Sequence, residues 1–408
     1  MSMTLELRPL TQPLARSAKK LPTGAAFALL ASLLISFLSA SSAPTPLYST
    51  YQAEWHFTPI TTTVIFGIYA LAVLAALLTF GKLSDHVGRR PVLIAAILVQ
   101  ALAMVIFVSA TGVTALIIAR IIGGLATGAA AGAIGAALID LSPTRGTLAN
   151  AVAAPTGTGL GAILGGIFVQ FLPAPTHLVY LALIGVLLAQ AVGVAFMRET
   201  VTPRSGALTS LVPEFAVPSR ARKPLLVAAP ALVAAWSLAG LFGSLGPALI
   251  RNVTGSNALV LGGMGLFALA GAGSIAVVLL RNASPQTSMT VGTSLLITGV
   301  ALTLLGVNAT SSLLFFGGTV VAGLGFGASF QGGIRTVMPH AEAHQRAGLL
   351  SVIYSISYVA LGVPAVIAGY LVVNDGGLLD TAREYGVAVI ALAALALAGL
   401  LSGARRSA

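Results

Sequence analysis

Arg120 is the one charged side chain that falls well inside a long apolar run of this sequence, in Ala119-Arg120-Ile-Ile-Gly123-Gly124-Leu-Ala-Thr127-Gly128. A charge at that depth costs several kcal/mol unless it faces a cavity or a partner. Two readings are open. Arg120 braces helix ends through backbone carbonyls of the first apolar run, or it presents a positive charge to a solute cavity and favours anionic or electron-rich ligands. The acidic residues are placed the opposite way. Glu6, Glu54, Asp85, Asp140, Glu199, Glu214, Glu342, Asp375, Asp380 and Glu384 all fall in tails, loops or the ends of apolar runs. No buried carboxylate therefore awaits a dicationic ligand. The first apolar run offers only hydroxyls (Ser32, Ser36, Ser39, Ser41) before Pro44 and Pro46.

Polar and aromatic groups supply the remaining binding chemistry. Trp236 stands in the middle of one apolar run, and Phe330 and Gln331 lie in another. Tyr354 and Tyr358 are one turn apart and share a helix face, and Tyr69 lies within an early run. Pockets for amphipathic ligands combine such walls with a few polar anchors, and an amide in hydrocarbon needs a partner. Arg120, Tyr69, Trp236, Phe330, Gln331, Tyr354 and Tyr358 are the expected cavity residues. There is no cysteine, so thiolate metal sites and disulfides are excluded. No metal cluster, nucleophile–base pair or phosphate loop is present, so neither an enzyme nor a metal or organic cofactor is expected.

The elements that must position these residues follow from composition. The chain is 57% hydrophobic and 8% charged, with a mean hydropathy of +0.99. A soluble domain carries roughly a quarter charged residues, so the bilayer is the solvent that fits. A helix needs about 20 residues to cross the hydrocarbon. Twelve runs of that kind, numbered here as spans 1 to 12, lie near 24–44, 59–80, 91–110, 113–138, 148–172, 177–197, 224–249, 257–280, 287–307, 311–333, 347–373 and 384–402. The reading is an all-α membrane protein of twelve transmembrane helices in two pseudo-symmetric six-helix bundles. Its parts are an amino-terminal segment (1–23), bundles 24–197 and 224–402, a linker (198–223) and a tail (403–408).

The net charge of +11 reads as topology rather than nucleic-acid binding. All but three of the 21 Lys and Arg residues fall on the side of the termini and the linker; the exceptions are Arg120, Arg251 and Arg383. This bias places both termini in the cytoplasm, and the expected location is the cell's inner (plasma) membrane. The halves also echo one another. Gly124-Leu-Ala-Thr-Gly128-Ala in span 4 resembles Gly323-Leu-Gly-Phe-Gly327-Ala in span 10, and Pro143 with Arg145-Gly-Thr-Leu148 resembles Pro339 with Arg346-Ala-Gly-Leu349. Internal repeats in a polytopic chain mark secondary transporters, with the solute site at the repeat interface.

The loop between spans 2 and 3 reads Gly81-Lys-Leu-Ser-Asp85-His-Val-Gly88-Arg89-Arg90-Pro-Val-Leu93. Its glycines allow turning and close approach, Asp85 can cap a helix start, and Arg89 offers a planar fork to a carboxylate. The loop resembles the signature loop of the major facilitator superfamily in sequence, spacing and position. The resemblance implies a conformational latch of Gly81, Asp85, Gly88, Arg89, Arg90 and Asp140, in which Asp140 at the end of span 4 joins a charge network that holds the outward-facing state. Span 4 resembles the family's second motif, an Arg followed by a small-residue face, here Gly124, Gly128 and Gly132. Span 5 carries Gly157, Gly161, Gly165 and Gly166 where the family's antiporter motif has glycines, and the resemblance implies a hinge there. Ala162 stands where that motif has proline, which weakens the export reading; Pro155 supplies a bend slightly earlier.

The expectation is an alternating-access carrier, resembling bacterial drug or metabolite efflux carriers. It moves a small amphipathic solute, neutral or anionic, out of the cell, driven by protons, and works as a monomer in the bilayer. An uptake symporter or facilitator for a sugar or organic acid is the alternative. A membrane receptor that does not transport is a second.

Overall fold

The structure, a computed structural model, describes residues 20–407, without the side chains of residue 343 and of 403–407. The basic residues Arg8, Arg16 and Lys19 lie outside the described residues, as do the side chains of Arg405 and Arg406. Twelve helices among the described residues are long and apolar enough to cross a membrane. Spans 1 to 6 are Thr23–Ser42, Pro59–Phe80, Arg89–Val108, Val113–Leu141, Pro143–Phe171 and Pro175–Ala195. Spans 7 to 12 are Ser219–Ser244, Leu261–Leu279, Pro285–Asn308, Ser312–Val337, Arg346–Asn374 and Gly377–Ser407. Four of them begin on proline, whose fixed φ suits a first turn and whose missing N–H is not needed there.

Three helices start at least five residues before their apolar runs. Span 5 begins at Pro143, span 7 at Ser219 and span 12 at Gly377. Each gains a polar or charged first turn, which hydropathy reads as loop. Two short helices, Tyr48–Trp55 and Gly246–Thr254, follow spans 1 and 7 and were not marked by hydropathy. They hold matching places in the two halves.

The sequence echo is a packing echo. A Cβ on Gly124 would lie 2.7 Å from the Ala72 Cβ of span 2, and one on Gly323 2.9 Å from the Ala272 Cβ of span 8. A Cβ on Gly128 would overlap the Val73 carbonyl, and one on Gly327 the Gly273 carbonyl. Each glycine pair thus lets a helix backbone approach the equivalent partner in its own bundle. In lipid this close approach is what holds helices together, since burial from water is no longer the driving force.

Two seams join the bundles. Span 2 meets span 11 where Gly67 and Ala70 face Gly362, and where Thr63 fills the space over Gly369. Span 5 meets span 8 where Ala162 lies against Gly263 and Gly159 against Phe267 and Gly271. Further along, at the end away from the linker, the Leu259 N–H donates to Gln170 at 2.7 Å and the Thr45 hydroxyl to the Gly243 carbonyl at 3.4 Å. The bundles are therefore drawn together at this far end.

Candidate functional site

At the linker end, Arg89 opens span 3 and is only 5% exposed. Its Nη1 lies 2.5 Å from an Asp85 oxygen and donates to Ser84 Oγ at 2.6 Å; its Nε meets Asp140 at 3.2 Å. The planar fork therefore ties the loop to the end of span 4, with the three residues in contact that the loop resemblance implied. Asp85 does not cap a helix. The short helix Leu83–Val87 has no side-chain cap, and the Asp85 carboxylate turns to the arginine instead. Gly88 sits at φ +109°, where a side chain would be strained, and a Cβ there would come within 2.9 Å of Glu199. Gly81 faces Gly132 so closely that a Cβ on Gly132 would be 3.1 Å from the Gly81 Cα.

Sequence reasoning missed Glu199. Its carboxylate accepts the backbone N–H groups of Arg89 at 2.8 Å and Arg90 at 3.0 Å, so it caps span 3 from outside the loop. The Arg90 guanidinium donates to the Val194 and Ala195 carbonyls at the end of span 6. Thr200 adds a hydrogen bond to Asp140 at 2.9 Å. The linker is drawn in as well: Lys82 pairs with Glu214, the Arg204 N–H donates to the His86 carbonyl at 2.9 Å, and Ala216 lies against Gly348 of span 11. At the matching place in span 10, Arg335 donates to the Leu280 and Ala283 carbonyls at 3.3 and 2.7 Å. The carboxyl-terminal half thus closes on its loop with the opposite charge, using carbonyls as acceptors.

Arg120 is buried, at 1% exposure. Its Nη1 donates to the Ser41 carbonyl at 2.5 Å, and Nε (at 2.7 Å) and Nη2 both donate to the Tyr48 hydroxyl. Ser41 is in the last turn of span 1, where carbonyls lack helical partners and the helix dipole is negative. Burial pushes the Tyr48 phenol up, against the pull of Arg120, so the arginine faces a neutral oxygen. The rings of Tyr69, Tyr48 and Phe107 stand 5.0, 5.5 and 5.9 Å from the guanidinium carbon. Each such contact contributes about 0.5–2 kcal/mol, and each charged hydrogen bond about 1.5–3 kcal/mol, enough together to offset the desolvation. No carboxylate pairs with Arg120 among the described residues. This geometry is that of a brace on span 1, and the guanidinium is closed off from any cavity in this conformation.

The expected cavity residues fall into two groups. Tyr69 belongs with Arg120, and its buried hydroxyl lies beside Thr127 and Ser41. Trp236 gathers Tyr358 at 5.0 Å between ring centroids, Phe330 at 5.2 Å and Phe326 at 6.3 Å. Phe326, in the span 10 repeat, is not among the expected cavity residues; its place one turn before Phe330 is the sequence signal for it. The Trp236 indole N–H is buried without a partner. Tyr354 is half-buried one turn before Tyr358, outside this ring cluster. Gln331 is half-buried and follows Phe330, so it points about 100° away from it around the helix.

Span 5 is one unbroken helix that includes Pro155. Its glycines divide by face. Gly157, Gly161 and Gly165 lie against Ile35, Ser39 and Ala43 of span 1 and its end, and Gly166 lies against Val260 of the other bundle. On that second face the Thr156 and Ser274 hydroxyls are 3.0 Å apart across the seam.

A family description matches this architecture directly: the Major Facilitator Superfamily profile aligns to residues 28–364. The chain belongs to the Major Facilitator Superfamily. This superfamily member is a transporter rather than an enzyme. Among solved structures it is similar to the nucleoside transporter NupG, at a TM-score of 0.69 and 11% identity over 91% of this chain and 99% of that one. It is also similar to a bacterial homolog of the human lysosomal transporter Spinster, solved in an inward-facing and occupied conformation. That match has a TM-score of 0.68 and 12% identity over 94% and 97% of the two chains. At such identities the likeness is one of fold.

Proposed function

We propose that this transporter exports a small amphipathic solute, neutral or anionic, by alternating access between its two bundles, with proton antiport as the drive. The observation that carries the solute class is the charge inventory of the spans. Their middles hold no carboxylate, one arginine already held by carbonyl and hydroxyl oxygens, and a ring cluster around Trp236 whose indole N–H has no partner. Such a site suits a π-rich solute that carries hydrogen-bond acceptors. A dication would find no counter-charge there.

The bias of Lys and Arg supports an orientation with the linker end in the cytoplasm, and the plasma membrane is the proposed location. In that orientation the far end is outside, and the conformation described is closed to the outside. The span 5 glycines support export through their match to the family's antiporter motif, although Ala162 replaces its proline. The proposed latch is Asp85, Arg89 and Asp140, with Gly81, Gly88 and Arg90 shaping the loop. The protein works as a monomer in this reading.

Thermal unfolding of the purified protein against a panel of neutral, anionic and cationic aromatic compounds tests the solute class, because a bound solute stabilises the fold by mass action. Neutral and anionic compounds are expected to raise the midpoint, and Trp236→Phe to weaken that rise. Stabilisation confined to dications would overturn the assignment.

A further inference from the structure

The linker carries five cations, Arg198, Arg204, Arg220, Arg222 and Lys223, all exposed. Its two acids are engaged elsewhere. Glu199 caps span 3, and Glu214 pairs with Lys82. Among the described residues none of the five cations has an ion-pair partner. Three of them crowd the first turn of span 7, which contains no acidic residue. A helix start already carries partial positive charge, so three cations there raise the local potential further.

The surroundings are apolar and open. Arg222 is one turn from Leu226 of span 7, which is 73% exposed. The linker crosses the end of the span 2–span 11 seam, from Lys82 to Gly348. Within the crossing segment Val212 and Phe215 are 66% and 58% exposed. Unpaired cations beside exposed apolar side chains, at the level where a span leaves the hydrocarbon, match the layered chemistry of a lipid headgroup region.

We propose that the linker and the first turn of span 7 form a docking site for anionic phospholipid headgroups of the adjoining leaflet. Arg220, Arg222 and Lys223 hold the phosphates, while Val212 and Phe215 enter the interfacial layer. The bound lipid supplies the negative charge that this helix start lacks and pins the linker across the seam between the bundles.

Native mass spectrometry of the full-length protein in mild detergent tests this, with phosphatidylglycerol or phosphatidylcholine titrated in. The wild type is expected to prefer phosphatidylglycerol by at least about tenfold, with a salt-sensitive affinity, since each basic residue near a headgroup contributes about a fivefold factor. Arg220→Gln/Arg222→Gln/Lys223→Gln is expected to abolish the preference, and Arg220→Lys/Arg222→Lys to keep it. Equal binding of the two lipids by the wild type overturns the proposal without reference to any variant. So does a triple variant that keeps the preference, or a lysine variant that loses it. Competition by millimolar glycerol phosphate as strong as that by the lipid would mean a soluble-phosphate site, and the lipid assignment would be wrong.

Discussion

The carboxylate of Glu199 accepts the backbone N–H of Arg90 at 3.0 Å, while the Arg90 guanidinium reaches back to the carbonyls that end span 6 just before Glu199. Each residue thus satisfies the open helix end of the other's span, and span 3 is clasped to span 6 at the linker end. Replacing a side-chain cap by alanine costs about 1 kcal/mol. Glu199→Ala is expected to lower the thermal midpoint of the purified protein by about 2 °C. Glu199→Gln, which keeps one acceptor, is expected to lower it less. Equal midpoints for the wild type and Glu199→Ala would show that the clasp adds nothing.

Arg89 links Asp85 and Ser84 through Nη1 and Asp140 through Nε of one planar group. A lysine ammonium cannot span all three. Arg89→Lys and Arg89→Ala are both expected to reduce transport by about tenfold or more with normal insertion, because losing the fork removes roughly 1–3 kcal/mol from a half-buried network. Transport rates per protein in vesicles check this. Full activity in Arg89→Lys would reduce the loop to a topological signal.

Across the span 5–span 8 seam, Thr156 and Ser274 are placed for a cross-link, with hydroxyl oxygens 3.0 Å apart. The chain has no cysteine, so an introduced pair reacts only with itself. Oxidised Thr156→Cys/Ser274→Cys is expected to stop transport, and reduction to restore it. Turnover by a fully cross-linked protein would mean that this seam does not open.

Arg120 acts on span 1 through the Ser41 carbonyl and the Tyr48 hydroxyl. Arg120→Ala is therefore expected to depress transport of neutral and anionic solutes by the same factor. Tyr48→Phe should produce a weaker version of the same defect. Selective loss of the anionic solute would show that the guanidinium meets cargo directly.

The parts of this molecule written in local pattern were legible in its sequence. Hydropathy located all twelve spans, and the spacing of Gly124, Gly128, Gly323 and Gly327 marked the faces where backbones meet. The loop's resemblance to the family signature, with Asp140 the nearest acid at the end of span 4, pointed Arg89 to its partner. Glu199 was not legible. It lies in a polar stretch that reads as linker, and its partners are backbone N–H groups over a hundred residues away, which leave no mark in sequence. Tyr48 was hidden for a related reason. It follows Pro44 and Pro46, and only the short helix after them turns its hydroxyl toward Arg120. The ring cluster was half visible: Trp236, Phe330 and Tyr358 meet, whereas Gln331 and Tyr354 stand outside because helix rotation and tilt, not residue type, decide which groups share a face.

Flux through the purified protein in proteoliposomes with an imposed pH gradient tests the proposed export most directly. Neutral and anionic aromatic solutes are expected to accumulate against their gradient, on the side that proton antiport dictates, and to leak back when a protonophore is added. Accumulation of cations alone, or solute movement indifferent to the proton gradient, would contradict the account.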